Sequence, residues 1–335
     1  MSAAPVARVA VLGGGSWGTA FAVLAARRGA ATRLVCHTEA QAARVARDRV
    51  NPAYLPGVRL PEGVEVTHMG DPGAVEGAQL VVAAVPSRAV AAVAAGLRGR
   101  LAPGAGVLSL TKGLDPGSGR RLSEVWADAL GPDVPFALLS GPNHAEEVAE
   151  GQPTAAVVAG DPELARTVQD LLNGPTFRVY VNDDLVGVEL CAAAKNVVAI
   201  AAGMSDGLGF GDNAKAALIT RGLAEMTRLG QASGASAATF RGLAGMGDLV
   251  ATCTSGHSRN RRAGELIATG MAARDVEGRL GQVAEGLWTV GRLLELAERA
   301  GVELPISAQV AAAVDGKPVE ECMRDLMARA PAVEE

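Results

Sequence analysis

The stretch VAVLGGGSWGTAFAVLAARRG, residues 9–29, joins a short apolar run to a helical pattern through a cluster of glycines. The spacing Gly13-x-Gly15-x-x-Gly18, with a strand before it and a helix after it, is typical of a turn that binds a dinucleotide pyrophosphate. Gly13 would permit the tight turn, Gly15 the approach of backbone to phosphate, and Gly18 close packing of helix on strand. A tight turn without a ligand is the alternative.

Strand-like and helical segments alternate through the first half of the chain, which predicts a parallel sheet covered on both faces. The predicted strands are 9–13, 32–36, 80–86, 106–111, 136–141, 154–160 and 177–181, and the helical segments between them include 16–29, 87–100, 119–130 and 162–173. The Pro- and Gly-rich segment 51–61 is predicted as a loop.

After about residue 182 the strand signal stops, and helical patterns continue between Gly-rich joints. We therefore predict an α/β fold: a Rossmann-like, doubly wound, mostly parallel sheet at the N-terminus, followed by an all-α C-terminal domain. Residues 1–183 would bind the dinucleotide, and residues 184–335 would bind substrate and carry the catalytic group. The joints are expected at 207–213, 245–248, 254–258, 281–286 and 300–305.

The composition of the 335 residues, 49% hydrophobic and 20% charged, is that of a globular protein. A net charge of −5 gives no electrostatic footprint for nucleic acid. No apolar stretch reaches the roughly 18 uninterrupted residues of a membrane span, and the N-terminus is expected to form a first strand and not a signal peptide. The four cysteines are scattered without a CxxC pair, which predicts neither a metal site nor disulfides and indicates the cytoplasm. The acidic tail 331–335 is expected to be disordered.

The second predicted strand ends in CHTE, so Cys36 and His37 occupy the place where an acidic residue would bind a ribose 2′-hydroxyl. Glu39 lies slightly beyond this position in the sequence. The missing acid, with His37, Arg44 and Arg47 nearby, is compatible with a 2′-phosphate, so NADP(H) is allowed and NAD(H) is not excluded. His37 as an ordinary loop residue is the alternative.

Two neighbouring predicted strands end in polar residues at the edge where open α/β sheets bind ligands. Lys112 follows one strand in LSLTKGLDP, and Gly141 and Asn143 follow the next in LLSGPNHAEEV, where a helix begins. A surface lysine and an ordinary helix cap are the alternatives.

The segment TSGHSRNRR, residues 254–262, predicts an anion site. Ser258 follows a Gly-containing loop and is predicted to cap a helix, with Arg259 and Asn260 in its first turn. Arginine there opposes the helix dipole unless an anion binds, and arginine binds phosphate in bidentate fashion. Arg261 and Arg262 are interpreted as a solvated face.

Lys195 lies within the apolar run GVELCAAAKNVVAIAAG, residues 187–203. A buried unpaired charge is costly, and Asp248, a carboxylate in an apolar setting, is a plausible partner. A lysine held in this way can act as a general acid or base toward an alcohol or ketone. A lysine that extends to the surface is the alternative.

Together these motifs closely resemble the NAD(P)-dependent sn-glycerol-3-phosphate dehydrogenases of bacterial type. The resemblance covers residues 8 to about 327 in family order. It is carried by GGGSWGTA, NPAYLPG, LTKGL, LSGPNHAEEV, AAAKNVVAIAAG, GLAGMGDLVATCTSGHSRNRRAG and GQVAEG.

The resemblance implies a role for each matching residue. Lys195 would be the catalytic general acid and base. The substrate would be bound by Lys112, Gly141, Asn143, Lys195, Asp248, Ser258, Arg259 and Asn260. The cofactor would be bound by Gly13, Gly15, Ser16, Trp17, Gly18, His37, Lys112, Ala145, Arg259, Val283 and Glu285. Asn143 departs from the family, which usually has Ser or Thr at this position.

The implied reaction is NAD(P)H-dependent reduction of dihydroxyacetone phosphate to sn-glycerol 3-phosphate for phospholipid synthesis, without a metal. A homodimer in the cytoplasm is expected, with a small-molecule substrate as its partner. The competing hypotheses are a related β-hydroxyacid dehydrogenase that acts on a carboxylate and a non-enzymatic redox sensor that binds NADP(H). The first would not need the SRNRR cluster, and the second gives no reason for Lys195.

Overall fold

The computed structural model describes residues 7–329, so the tail predicted to be disordered lies outside the described residues. The chain divides into two compact units. The first comprises Met1–Asp115 with Arg120–Glu189, and the second comprises Pro116–Gly119 with Leu190–Glu335. The predicted domain boundary after residue 183 stays a prediction.

The first unit is built on an eight-stranded sheet in the order β10-β9-β8-β7-β6-β1-β2-β5. Its strands are β1 (Arg8–Leu12), β2 (Ala31–Cys36), β5 (Glu65–His68), β6 (Leu80–Ala83), β7 (Gly106–Ser109), β8 (Phe136–Ser140), β9 (Thr154–Gly160) and β10 (Phe177–Asn182). Every neighbouring pair is parallel except β8 with β9. This confirms the mostly parallel sheet. The strand order reverses between β1 and β6, and ligands of such sheets bind at this point.

Helices cover both faces of the sheet, because its strands are apolar on both sides. They are α1 (Ser16–Arg27), α2 (Glu39–Asp48), α3 (Val90–Leu97), α4 (Leu122–Leu130), α5 (Ala145–Glu150) and α6 (Pro162–Leu172). One core cluster includes Phe21 of α1 and Val168 of α6, and a second includes Val90 of α3 and Trp126 of α4. Two separate cores confirm the doubly wound arrangement.

The prediction of a plain loop at 51–61 was wrong. β3 (Val50–Asn51) and β4 (Leu55–Arg59) form a small antiparallel pair there. Pro56 and Gly57 lie within β4, which is tolerated because each strand of a two-stranded sheet is an edge. Leu55 is buried, so the hairpin also contributes an apolar contact to the core.

The described part of the second unit is helical. Helix α7 (Leu185–Gly207) begins in the first unit and continues into the second, and the others are α8 (Asp212–Ala232), α9 (Ala237–Arg241), α10 (Asp248–Thr254), α11 (Arg259–Ala268), α12 (Ala273–Leu280), α13 (Glu285–Arg299), α14 (Pro305–Val314) and α15 (Val319–Met327). The joint predicted at 245–248 was wrong, because a π-helical turn at Leu243–Gly247 runs directly into α10. Gly245 is there for packing, since a Cβ on it would lie 2.0 Å from the backbone oxygen of Phe240.

Helix α7 forms the core of the helical part. Among the described residues it alone is long and apolar enough to cross a membrane by length and composition, and 89% of its most apolar window is buried inside the fold. Added Cβ atoms at Gly203, Gly264 and Gly286 would lie 1.8, 2.0 and 2.7 Å from a backbone oxygen of the facing helix. Neighbouring helices therefore reach the backbone of α7 directly, which only glycine permits.

We expect Gly264→Ala to destabilise the protein by about 1–3 kcal/mol or more, because the new methyl group meets backbone that cannot move aside. Gly291, exposed in the middle of α13 with no atom within 4 Å of an added Cβ, provides the matched control. Gly291→Ala should stabilise the protein by about 1 kcal/mol through helix propensity. Urea unfolding measures both, and equal midpoints for Gly264→Ala and wild type would contradict the packing account.

Helix α14 begins without a capping side chain of its own at Leu304. Glu225 of α8 accepts hydrogen bonds from the N–H groups of Ile306 and Ser307, at 2.6 and 3.3 Å, and so supplies the missing cap. Burial raises the pKa of the Glu225 carboxyl, although the hydrogen bonds act in the opposite direction. Buried Glu189, which accepts from the N–H and hydroxyl of Ser123, caps α4 in the same way.

The raised pKa of Glu225 predicts a pH dependence of stability. The folded protein holds the carboxyl proton more tightly than the unfolded chain does. The contribution of this carboxyl to the free energy of unfolding is therefore complete at pH values below its pKa in the unfolded chain. It is lost as the pH rises through the pKa of the carboxyl in the folded protein. In Glu225→Gln this titration is absent. The free energy of unfolding of wild type, minus that of the variant, should fall as pH rises from the ordinary glutamate value of 4.5. Urea unfolding at several pH values tests this, and a difference that grows with pH would contradict it.

Candidate active site

The glycine-rich turn of the first unit has the geometry that its spacing predicts. Gly13 has φ 115°, and a Cβ on it would lie 2.3 Å from the backbone oxygen of Ala84, just after β6. A Cβ on Gly18 would lie 1.9 Å from the oxygen of Gly13, whereas one on Gly15 would meet nothing within 4 Å. The turn is therefore closed on the sheet side and open at Gly15. Helix α1 starts there without a side-chain cap or an acidic residue in its first turn, and so suits a pyrophosphate.

Two distant side chains hold this turn in place. The backbone oxygen of Gly14 accepts hydrogen bonds from Gln41 Nε2 at 2.7 Å and Asn51 Nδ2 at 2.8 Å. Ser16 Oγ, predicted to face the cofactor, donates to the backbone oxygen of Tyr54 at 2.6 Å. Sequence reasoning missed Gln41 and Asn51, although Asn51 and Tyr54 belong to the NPAYLPG motif. The small hairpin that begins at Val50 thus buttresses the turn.

Trp17 and Ala145 share one apolar cluster. Trp17 packs edge-on against Phe21, with ring centroids 6.4 Å apart, and it also packs on the cluster that contains Ala145 at the start of α5. The indole Nε1 of Trp17 is buried without a hydrogen-bond partner in the described structure. The two predicted cofactor residues are therefore neighbours in the apolar contact between α1 and the start of α5.

The end of β2 carries no carboxylate where one would bind a ribose 2′-hydroxyl, because exposed His37 stands there, as the sequence indicates. Arg44 is exposed on α2. Arg47 is exposed as well, and it is paired with Asp48 at 2.8 Å. Of the basic groups considered for a 2′-phosphate, His37 and Arg44 are thus the ones without an ion pair among residues 7–329.

Lys112, Gly141 and Asn143 are brought together at the ends of β7 and β8, as predicted. Lys112 Nζ donates to the backbone oxygen of Gly141 at 3.0 Å and to Asn143 Oδ1 at 2.9 Å. Since an ammonium only donates, the second bond fixes the orientation of the amide. Asn143 is 6% exposed, and its Nδ2 is buried without a described partner. A buried donor left unpaired costs about 1–3 kcal/mol, so this atom is suited to an acceptor on a ligand.

In the second unit Lys195 is buried and paired. Its Nζ lies 2.6 Å from Asp248 Oδ1 and 2.8 Å from Thr252 Oγ1, and the side chains of Lys195 and Asp248 are 6% and 3% exposed. The predicted partnership with Asp248 is confirmed, and extension of the lysine to the surface is excluded. Sequence reasoning missed Thr252, whose signal is its position one helical turn after Asp248 on α10.

Thr252 is also bonded to the backbone of Asp248, one helical turn before it. Its hydroxyl donates to the backbone oxygen of Asp248 at 2.6 Å, so its lone pairs remain for the ammonium of Lys195. The hydroxyl is therefore used as donor and acceptor at once. This arrangement holds the ammonium in one position within a region of low dielectric, where its charge acts strongly on any group placed beside it.

Removal of Asp248 should be costly, because it leaves a buried ammonium without its counter-charge. We expect Asp248→Ala to reduce the free energy of unfolding by about 3–5 kcal/mol. The double variant Lys195→Met/Asp248→Leu removes both charges and should recover most of that loss. Urea unfolding compares the two variants, and an unchanged midpoint in Asp248→Ala would show that the pair is not desolvated.

Asn260 links three helices. Its Nδ2 donates to Asn196 Oδ1 at 2.9 Å, and its Oδ1 accepts from the N–H of Gly286 at 2.8 Å. Asn260 is therefore largely committed to α7 and α13. One Nδ2 hydrogen remains without a described partner. The loop that precedes α13 carries Val283, half-buried, and Glu285 is the first residue of the helix, also half-buried.

The start of α11 confirms one prediction and corrects another. Ser258 caps the helix, since its Oγ accepts from the N–H of Arg261 at 3.2 Å, and Arg259 is exposed in the first turn. Arg262 is exposed, as predicted. Arg261 is not part of a solvated face, because its guanidinium pairs with Asp206 at 2.6 Å and is 18% exposed.

Within residues 7–329 no group of three or more His, Cys, Asp or Glu side chains could hold a metal ion. Cys36, Cys191, Cys253 and Cys322 are buried, and none of them forms a disulfide within the described residues. Burial raises the pKa of the Cys36 thiol to about 11 and that of Cys253 to about 12, so these two are protonated at neutral pH.

The doubly wound sheet with its glycine-rich turn, together with the buried lysine of α7, places the chain among the NAD(P)-dependent oxidoreductases. Models of the NAD-dependent glycerol-3-phosphate dehydrogenase N-terminus and C-terminus match residues 8–165 and 184–324. The chain belongs to this family.

Relatives cover nearly the whole chain. It is 47% identical over 327 residues to the glycerol-3-phosphate dehydrogenase (NAD(P)+) of Prosthecochloris aestuarii, covering 96% of this chain and 98% of the relative. It is 48% identical over 323 residues to the protein of the same name from Moorella thermoacetica, covering 96% of each. The crystal structure of glycerol-3-phosphate dehydrogenase from Coxiella burnetii superposes with a TM-score of 0.92 at 39% identity, covering 97% of this chain and 99% of the other.

Proposed function

We propose that this chain reduces dihydroxyacetone phosphate to sn-glycerol 3-phosphate, reversibly, with NADPH or NADH. Family membership supports the reaction, and the observation that carries it is Lys195, buried in an apolar helix and held by Asp248 and Thr252. A buried ammonium beside a reacting carbonyl can polarise it and supply a proton. A helix with only a structural role would not need a buried ammonium.

The first unit would hold the dinucleotide. The open approach at Gly15 and the uncapped start of α1 suit a pyrophosphate, and the exposed His37 with Arg44 suits a 2′-phosphate better than a bare ribose. When bound, the nicotinamide supplies the hydride. The residues proposed to contact the cofactor are Gly13, Gly15, Ser16, Trp17, Gly18, His37, Lys112, Ala145, Arg259, Val283 and Glu285.

The phosphate of the substrate would lie at the first turn of α11. Arg259 is exposed there and can bind phosphate in bidentate fashion, and the helix start adds N–H groups and a favourable dipole. Binding of the phosphate, which does not react, orients the ketone for the chemical step. The residues proposed to contact the substrate are Lys112, Gly141, Asn143, Lys195, Asp248, Ser258, Arg259 and Asn260.

Lys195 would act as the general acid. As C2 of the ketone gains a hydride, its oxygen becomes an alkoxide, and Lys195 Nζ transfers a proton to it. Asp248 stabilises the ammonium before transfer, and Thr252 Oγ1 keeps it pointed in one direction. In the reverse reaction the neutral amine accepts the proton of the alcohol.

The wider setting is proposed on the resemblance. Residues 1–183 would form the dinucleotide-binding domain and residues 184–335 the substrate-binding and catalytic domain. The protein would work in the cytoplasm as a homodimer and supply glycerol 3-phosphate for phospholipid synthesis. The reduced, buried cysteines agree with a reducing compartment.

The reaction is tested by following the absorbance of reduced nicotinamide when the protein meets dihydroxyacetone phosphate, with NADPH and NADH in parallel. We expect oxidation of the cofactor by wild type, and a kcat lower by about 10²–10⁴ in Lys195→Met, because general acid catalysis contributes that much. Lys317→Met is the matched control, since Lys317 is bound to Asp325 outside the site, and it should keep wild-type rates.

Absence of oxidation with either cofactor would overturn the proposal. Turnover of 3-hydroxy acids in its place would then indicate the carboxylate-specific alternative. Full activity in Lys195→Met would leave the reaction standing and remove the lysine from the mechanism.

A further inference from the structure

The first turn of α11 presents an electrostatic problem. Arg259, Arg261 and Arg262 all lie in or next to it, where the positive end of the helix dipole disfavours cations. A bound phosphate would account for Arg259, but Arg261 is turned inward and needs another explanation. Its guanidinium is 18% exposed, so its charge is only weakly screened by water.

Asp206 resolves this problem from a different helix. It lies in the last turn of α7, where the negative end of the dipole disfavours an anion. Asp206 Oδ2 lies 2.6 Å from Arg261 Nε, and Oδ1 lies 2.7 Å from Lys215 Nζ on α8. Two unfavourable helix-end charges therefore neutralise each other, and the end of α7 is tied to the start of α11.

Arg261 is held at three separate points. Its backbone N–H donates to the capping oxygen of Ser258, its backbone oxygen lies where a side chain on Gly203 would be, and its guanidinium is bound to Asp206. With two hydrogen bonds and a backbone oxygen packed closely against Gly203, Arg261 has little freedom to move. The neighbouring Ser258 and Arg259 are then placed by it.

We propose that Asp206 is a positioning residue for phosphate recognition: it fixes Arg261, and through Arg261 the turn whose Ser258, Arg259 and Asn260 receive the phosphate. By pairing with Arg261, it also neutralises the one inward-turned cation of this cluster, whereas Arg259 and Arg262 remain exposed. The inference rests on the proposed function, in that it assigns the phosphate of the substrate to this turn.

Asp206→Asn tests the inference, because the amide keeps the shape and loses the charge. We expect KM for dihydroxyacetone phosphate to rise about tenfold and kcat to change by less than about twofold, as for loss of ground-state binding. Inorganic phosphate should become a weaker competitive inhibitor by the same factor. The kcat/KM for dihydroxyacetone, which has no phosphate, should stay at the wild-type value.

Two further variants separate positioning from general structural damage. Glu265→Gln removes the other carboxylate bound to Arg261, but Glu265 lies one turn along the same helix, and within residues 7–329 its ion pair ties α11 to no other helix. It should leave KM within about twofold of wild type. Asp206→Glu restores the charge and should recover most of the phosphate affinity.

The inference is overturned if Asp206→Asn raises KM no more than Glu265→Gln does. It is also overturned if activity on dihydroxyacetone falls in parallel, or if Asp206→Glu fails to recover phosphate binding while remaining folded. A measurement that does not depend on turnover separates this inference from the proposed function. It is the rise in Tm of each variant when inorganic phosphate is added. Wild type stabilised by phosphate and Asp206→Asn not stabilised would support Asp206 even if dihydroxyacetone phosphate is not the substrate.

Discussion

The enclosure of α7 is the constraint on which the helical part of the molecule depends. Residues 187–205 of this helix are buried on all sides, and the surrounding helices come close enough for backbone contact because glycine stands at Gly203, Gly264 and Gly286. Water is excluded as a result. A lysine in such a helix must have partners built into the fold, and Asp248 and Thr252 supply them. The chemistry of Lys195 thus follows from the packing of α7.

The first unit solves a different problem, that of shaping a turn at the edge of a sheet. The glycine-rich turn is pressed against Ala84 beyond β6 and is held at Gly14 by Gln41 and Asn51. These contacts come from segments that are separated along the chain. The turn therefore takes its final form only when β1, β6, α2 and the hairpin are all in place. Its openness at Gly15 is a property of the assembled sheet edge.

Much of the fold could be predicted because apolar runs and glycine spacing are local signals. The parallel strands, the helical second half and the cap at Ser258 all follow from short windows of sequence. Pairings between distant segments could not be predicted in this way. β5 is short and polar, and the hairpin at 50–59 is stabilised by its partner strand and by burial of Leu55. Neither β5 nor the hairpin could be predicted from its own short segment of sequence.

The same distinction applies to the site. The pairing of Lys195 with Asp248 was predictable because a buried lysine requires a carboxylate and Asp248 is a carboxylate in an apolar setting. The inward turn of Arg261 depends on Asp206, 55 residues earlier, and nothing in the arginine cluster itself marks which member is buried. The role of a glycine also depends on a distant or folded-back contact that the sequence does not show. Gly245 allows close packing against Phe240, whereas the sequence analysis predicted a break in the helix there.

The contact between Lys112 and Asn143 bears on the entropy of ligand binding. A free lysine side chain samples many rotamers, and ordering one costs about 1.5–2 kcal/mol. Here Lys112 is already tied to Gly141 and Asn143 in the protein alone, so this cost is met during folding and not on association. Asn143 offers an amide at this position, one end of which anchors the lysine while the other, Nδ2, stays available. The protein therefore presents a preorganised pair of donors to an arriving molecule.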